Sequence, residues 1–357
     1  MNFNIALLWK YEQDGLLSCN KHNTEDLYIW NYTQKVQFEN LWDDITMQCR
    51  GLITDSSGNI KSRCLKKFFN VSQVEETKIE NLPNEIPIIT EKIDGSCGIL
   101  YFIVNDDRLP CIATRGSFDS EQAVWATEWI RRQGYQSIDF HPFYTYIFEI
   151  VYKQNRIVVD YGDREELVLL AVINTETGEE LDHVCEAKRL QMSYANIINK
   201  SINDIMKYLE TTKENEEGFV ARYSNGLRCK FKSAEYLRLH RLITGFSSKS
   251  IWECLMNGQD IESILYAVPD EFFVWVKLKK EEMIKQHGEI KTKAEMACKD
   301  VEYIPTQKEK ALVVLDKYKS ISGLVFSLLK GHSIDNQIWE MIEPKFELPF
   351  KNNKKEL

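Results

Sequence analysis

Glu91-Lys92-Ile93-Asp94-Gly95-Ser96-Cys97-Gly98 follows the apolar run Ile86-Pro87-Ile88-Ile89. A lysine two residues ahead of Asp-Gly reads as the end of a strand entering a tight turn. Such a turn can hold the amine rigidly beside a bound nucleotide, where it acts as a nucleophile. To attack phosphorus the amine must be neutral. It therefore calls for desolvation or neighbouring positive charge to lower its pKa, and for donors that stabilise the charge developing on phosphate. Taken alone, the same residues are an ordinary strand-to-turn junction with a solvated lysine, and the charged strands downstream decide between the two.

In Tyr144-Thr145-Tyr146-Ile147-Phe148-Glu149-Ile150-Val151 the strand period of two puts Glu149 on one face with Ile147 and Val151. A carboxylate among apolar neighbours is paired or ligand-bound, because an unpaired buried charge is expensive. The plain alternative is an edge-strand glutamate in solvent. In Arg228-Cys229-Lys230-Phe231-Lys232 the same period sends the three basic residues to one face and Cys229 and Phe231 to the other. Like charges stacked on one face repel unless an anion sits between them, as a triphosphate would; a solvated lysine face is the competing reading. Upstream, Glu216-Glu217-Gly218-Phe219-Val220-Ala221 forms a plausible hairpin with that strand through Ser224-Asn225-Gly226. Its glycine permits close backbone approach to a ligand.

The formal net charge of −9 argues against coating nucleic acid through a general positive field. A local phosphate site is still allowed, since basic residues cluster at 61–67 and 228–232. The nine cysteines are scattered with no Cys-x-x-Cys, so neither a disulfide framework nor a zinc site is expected, and most read as small buried hydrophobes in a reducing cytosol. Leu167 to Ile173, the longest central apolar run, suits a buried strand and is far too short for a membrane span. Met1 to Lys10 does not resemble a signal peptide. A cytoplasmic monomer with no membrane contact is expected.

Up to about residue 232 the pattern is mostly strands joined by turns, with one amphipathic helix between Ser120 and Gly134 and another expected over Ala187 to Leu209. After Ser233, an N-cap candidate, come long helix-compatible segments: Glu235 to Thr244, Ser248 to Asn257, Ile261 to Ala267, Asp270 to Ala297, Val313 to Leu329 and Asp335 to Ile342. The expected division is residues 1–244 for the strand-rich domain and 245–357 for the helical one.

In order, Lys-x-Asp-Gly, a strand glutamate, Glu-Gly and Lys-x-Lys resemble the motifs of covalent nucleotidyltransferases, the polynucleotide ligases and mRNA capping enzymes. The finer match is to the RNA ligase 1 family of T-even bacteriophages. It is carried by Arg50-Gly51, Lys67-Phe68-Phe69-Asn70, Lys92-Ile93-Asp94-Gly95-Ser96, Arg115-Gly116-Ser117, Phe148-Glu149, Asn155-Arg156-Ile157-Val158, Glu217-Gly218-Phe219-Val220-Ala221, and Lys230-Phe231-Lys232-Ser233 with Tyr236. The resemblance implies an α+β fold: a nucleotidyltransferase domain of antiparallel sheets with flanking helices, followed by an all-α C-terminal domain linked to tRNA recognition. Capping enzymes and DNA ligases instead attach an OB-fold, whose short strands are not seen after Lys232.

Carried over to these positions, the resemblance implies that Lys92 forms a lysyl-adenylate from ATP with Mg²⁺, or Mn²⁺ in its place. Arg50, Lys67, Phe69, Gly95 and Arg115 would line the nucleotide. Glu149 and Glu217 would hold ribose or the metal-bound phosphates, and Lys230 and Lys232 the α-phosphate. Asp94, Gly218 and Tyr236 would support them. Arg115 stands where the family typically has lysine, and Cys64-Leu65 alter the approach to Lys67. Asp260, early in the helical region, is a metal candidate, with a surface acid as its alternative. The implied activity is sealing of RNA 5′-phosphate and 3′-hydroxyl ends, with nicked tRNA as the suggested substrate. A capping guanylyltransferase, a DNA ligase and a silent RNA-binding module are the other readings.

Overall fold

The alternating segments become strands of three sheets in the computed structural model, which describes residues 3–103, 109–212, 215–259, 261 and 270–347. The strands in chain order are β1 (Leu17–Lys21), β2 (Tyr28–Tyr32), β3 (Arg50–Thr54), β4 (Ile60–Ser62), β5 (Phe69–Asn70), β6 (Ile88–Glu91), β7 (Ser96–Phe102), β8 (Pro110–Ala113), β9 (Tyr144–Val151), β10 (Glu166–Asn174), β11 (Glu180–Leu181), β12 (Gly218–Arg222) and β13 (Arg228–Lys232). Their orders are β1-β2-β3-β4, β11-β10-β9-β7-β8 and β5-β13-β12-β6. Pairing is antiparallel except where β5 runs parallel to β13. The chain divides into two compact units, Met1–Leu237 and Arg238–Leu357.

The central strand β9 organises the first unit. Tyr146, Phe148 and Ile150 project to one side, into a core shared with Leu100, Ile112, Leu167 and Leu169 and with Ala126 and Ile130 of the helix Glu121–Arg132. That helix starts where Ser120 Oγ accepts from Ala123 N at 3.2 Å. Ile147 and Val151 project to the other side, into separate clusters with Ile99 and Ala171 and with Ile93 and Val168. Fully burying each such side chain contributes about 1.5–3 kcal/mol. Glu149 is therefore carried by a scaffold that tolerates little movement.

Two expectations for the first unit are corrected. Ala187 to Leu209 is not one helix: it splits into His183–Leu190 and Ile202–Thr211. Gln191 turns left-handed at φ 55°, and the chain beyond it satisfies its backbone on strands, with Ala195 N donating to Leu169 O at 3.0 Å and Ile198 N to Ile89 O at 2.8 Å. Pairing offered by exposed strand edges outweighs helix propensity there. Before residue 50, three helices (Ile5–Gln13, Gln34–Phe38, Asp44–Gln48) interrupt the strands, the last started by a capping box at Asp43.

The second unit is helical among its described residues: Ser248–Met256, Asp270–Glu302, Gln307–Lys317, Ser322–Leu329 and Asp335–Met341. The stretch Val313 to Leu329 is thus broken rather than continuous. Ala294, Ala297 and Val301 pack against Val314, Leu324, Val325 and Ile338. Most of the segment Ile261 to Ala267, and the metal candidate Asp260, lie outside the described residues. No described helix is long and apolar enough to cross a membrane.

Candidate active site

The third sheet delivers three charged side chains to one end. Gly218 pairs with Lys232 and Phe219 with Glu91, so the residues just outside the pairing, Glu217 and Lys92, arrive beside Lys232. Lys92 N donates to Gly218 O at 2.8 Å, fixing the start of the turn. Glu217, 3% exposed, accepts from Lys92 Nζ on Oε2 at 2.7 Å and from Lys232 Nζ on Oε1 at 2.8 Å. Gly218 makes this possible. Its φ is +139°, and a Cβ there would lie 2.0 Å from the Phe231 carbonyl oxygen and 2.9 Å from Lys232 Cα. Gly218→Ala is expected to lower stability by about 3 kcal/mol or more, measurable as a reduced urea midpoint, because both the backbone angle and the contact must be relieved.

Asp94 locks the turn from below. It is buried, and its carboxylate accepts from Val158 N and Val159 N, each at 2.9 Å, and from Tyr236 Oη at 2.8 Å. Its own N–H donates to Tyr161 Oη at 2.8 Å. Tyr236 is held in turn by Ser233, whose Oγ accepts the Tyr236 N–H at 3.0 Å in the first turn of the helix Ala234–Gly245. Asp94 is thus spent on positioning and leaves Lys92 to the site. At Gly95 a Cβ would come within 2.5 Å of Ile150 O and 3.1 Å of Glu149 Cγ, so glycine brings the turn against β9.

Glu149 sits between Cys97 of β7 and Val168 of β10, in the middle strand of its sheet rather than at an edge. Burial pushes its carboxyl up from 4.5 to about 8, with Lys92 opposing and Cys97, Glu217 and Asp94 assisting. The folded state therefore holds the proton more tightly than the unfolded one, and stability falls as pH rises from 4.5 through about 8. Glu149→Gln removes that penalty. At pH 8 it is expected to stabilise the protein by on the order of 2 kcal/mol, and not at all near pH 4, as read by thermal denaturation at the two pH values.

Opposite the carboxylates stands a cluster of cations lined with aromatic rings. Arg115 Nη1 donates to Tyr32 Oη at 3.1 Å, and Lys67 Nζ lies 3.5 Å from the same oxygen. Lys67 Nζ is also 4.8 Å from the Trp42 ring centre and 5.4 Å from that of Phe69, while Lys230 Nζ is 4.4 Å from that of Phe68. Ring faces partly offset positive charge that carboxylates do not reach. Burial pushes Lys230 down to about 6, helped by Arg50, Lys92, Lys67 and Lys232. Cations held this way in a low-dielectric site make a receptor for phosphate.

Lys92 departs from the sequence expectation. Burial pulls it down, but Glu217 and Glu149 outweigh that and leave it above the ordinary lysine value, so the resting amine is charged. The sequence reading also left out Tyr32, Trp42, Phe68 and Tyr161. The β2–β3 pairing sets the Trp30-Asn31-Tyr32 segment in register, with Asn31 opposite Arg50. Among the described residues no group of three or more His, Cys, Asp or Glu is placed to hold a metal ion. A divalent ion would therefore come in on the phosphates of a bound nucleotide rather than on a preformed carboxylate cluster.

A family model described as RNA ligase matches residues 48–236, more than half of the chain and every site residue above except Tyr32 and Trp42. The RNA ligase of Rhodothermus phage RM378 is 24% identical over 330 residues, covering 72% of this chain and 73% of that protein. A relative from Thermovibrio ammonificans is 30% identical over 209 residues, and the match spans 55% of this chain and 54% of the relative. The Naegleria gruberi RNA ligase solved with PPi aligns over 50% of this chain and 58% of its own, with 15% identity and a TM-score of 0.39. On the family match, this chain belongs to the RNA ligase family.

Proposed function

We propose that the protein is an ATP-dependent RNA ligase with Lys92 as its nucleophile. The observation that supports this most is the shared placement of Lys92 and Lys232 on the two oxygens of buried Glu217, with Lys230 on the same face of the same strand. The amine attacks the α-phosphorus of ATP, the bond to the β-phosphate oxygen breaks, and pyrophosphate leaves as the lysine loses its proton. A 5′-phosphate oxygen of RNA then attacks the same phosphorus and displaces Lys92. A 3′-hydroxyl finally attacks the 5′-phosphate and releases AMP. Mg²⁺ or Mn²⁺, when bound, neutralises charge on the phosphates. Lys230, Lys232, Arg50, Lys67 and Arg115 neutralise the rest and hold the line of attack, which is most of what phosphoryl transfer requires.

Phe69 and Tyr32 flank the nucleotide in this reading, and Glu149 takes its ribose. RNA ends are the substrates, nicked tRNA among them, and the protein works as a cytoplasmic monomer. Separate incubation with labelled ATP and labelled GTP, followed by a denaturing gel, tests the reading; the ATP-labelled protein is then chased with 5′-phosphorylated single-stranded RNA. Label from ATP that moves to RNA is expected. Label from GTP would point to capping, and RNA binding with no label to a silent module.

The helical residues after 244 serve substrate choice in this reading. A chain ended at Ser248 is expected to keep lysine adenylylation within about threefold while its preference for nicked tRNA over plain single strands falls about tenfold or more at one fixed ionic strength, since phosphate contacts are salt-sensitive. A folded truncation with its full tRNA preference would place recognition in the first 244 residues.

A further inference from the structure

Two cysteines meet inside the site. Cys64 follows β4, Cys97 opens β7 just past the Lys92 turn, and their sulfurs lie 3.5 Å apart without a bond. Arg50 Nη1 is 3.2 Å from Cys64 Sγ and 4.0 Å from Cys97 Sγ. Cys64 is almost fully buried, yet it lines a cavity of about 990 Å³ whose wall continues through Lys67, Phe69 and Arg228. A small oxidant thus has a path to it. Guanidinium next to a thiol beside a second thiol is the arrangement that makes a cysteine reactive and gives it a resolving partner.

We propose that Cys64 and Cys97 form a hydroperoxide-sensitive dithiol whose oxidation to a disulfide switches off adenylylation of Lys92. Arg50 lies nearer Cys64 than Cys97, and the hydrogen bond from Cys97, with Arg50 assisting, pulls Cys64 below the usual thiol range against burial while Cys97 is pushed up. Cys64 is accordingly the attacking thiolate. Its sulfur attacks one peroxide oxygen, the O–O bond breaks, and Cys64 becomes a sulfenic acid as the other oxygen leaves and takes up a proton. Cys97 sulfur then attacks Cys64 sulfur, the S–O bond breaks, and the Cys97 proton leaves with the hydroxyl as water. Two thiols have lost two electrons and the hydroperoxide has gained them.

Closing the sulfurs from 3.5 Å to the bonded ~2.0 Å must be absorbed by the segment leading to Lys67 and by the start of β7, where Cys97 pairs with Glu149. Arg50 also loses the sulfur it donates to. Misplacement of about an ångström at such a site costs about a hundredfold in rate.

The activity arm rests on the ligase reading; the chemical arm does not. The reduced full-length protein is treated with hydrogen peroxide, alkylated, digested without reductant and analysed by mass spectrometry, and a parallel sample is assayed for labelling by ATP. The expected result is a Cys64–Cys97 cross-linked peptide pair lighter by two hydrogens, a fall in labelling of about a hundredfold, and recovery of both by dithiothreitol. In Cys97→Ser no cross-linked pair can form, and Cys64, left as a sulfenic acid with no resolving partner, should instead be trapped by dimedone as a mass adduct on its peptide. Should that variant fail to fold, reversal in the unmodified protein still decides. Recovery of both cysteines as alkylated peptides, or a cross-link with unchanged labelling, would overturn the proposal. If the reduced protein takes no label from ATP, the ligase reading and the switch fall together, while the cross-link is still read by mass.

Discussion

Lys92→Ala is expected to take no covalent label from ATP, and Lys92→Arg none either. Alanine removes the proposed nucleophile, whereas arginine keeps the charge beside Glu217 but cannot lose its proton near neutral pH. The pair separates a nucleophile from a mere electrostatic contact. Glu217 has a second partner in Lys232, 2.8 Å away in the unmodified protein, so an unfolded variant is not the expected cause, and a denaturation midpoint near that of the unmodified chain checks this. Because Glu217 and Glu149 hold Lys92 charged against the pull of burial, the labelling rate should also rise with pH above neutrality until the amine is neutral. Acid-labile label persisting in Lys92→Ala would remove Lys92 from the role.

What was legible in the sequence was whatever has a short period. The strand Tyr144–Val151 and the alternation at 228–232 follow from the pleat, and Cys229 and Phe231 are indeed buried while Arg228, Lys230 and Lys232 are only half-buried. The turn after Lys92 follows from Asp-Gly. Contacts between distant segments were not legible. Nothing near Asp94 in sequence shows that Val158, Val159 and Tyr236 will donate to it, and nothing near Cys64 points to Cys97. The resting charge of Lys92 was misread for the same reason. Glu217 lies 125 positions away, and the carboxylate reaches the amine only because β12 pairs with both β6 and β13. Helix propensity over Ala187 to Leu209 was overridden by strand edges that no local pattern announces.

Lys230→Ala and Lys232→Ala are each expected to lose about a hundredfold in adenylylation, the scale for removing one preorganised donor to developing charge. Lys279→Ala should lose less than about twofold, because Lys279 is a half-buried helix lysine already paired with Glu282 at 3.4 Å and Glu347 at 2.8 Å. The two strand lysines should also differ from one another. Lys232 is neutralised by Glu217, whereas Lys230 has a ring face and four nearby cations, which with burial push it down to about 6. In the empty site at pH 7 to 8, Lys230 is therefore mostly uncharged. An arriving triphosphate favours its charged form, so binding takes up a proton, and between about 6 and the higher pKa of the occupied site the affinity for ATP must fall as pH rises. Deprotonation of Lys92 drives the chemical step the other way. The efficiency of labelling should then be bell-shaped in pH, with the falling limb assigned to Lys230 and the rising limb to Lys92. Measuring ATP affinity and labelling rate separately across pH resolves the two limbs. In Lys230→Ala the affinity should lose its pH dependence while the rising limb remains; an unchanged falling limb in that variant would show that another group recruits the proton.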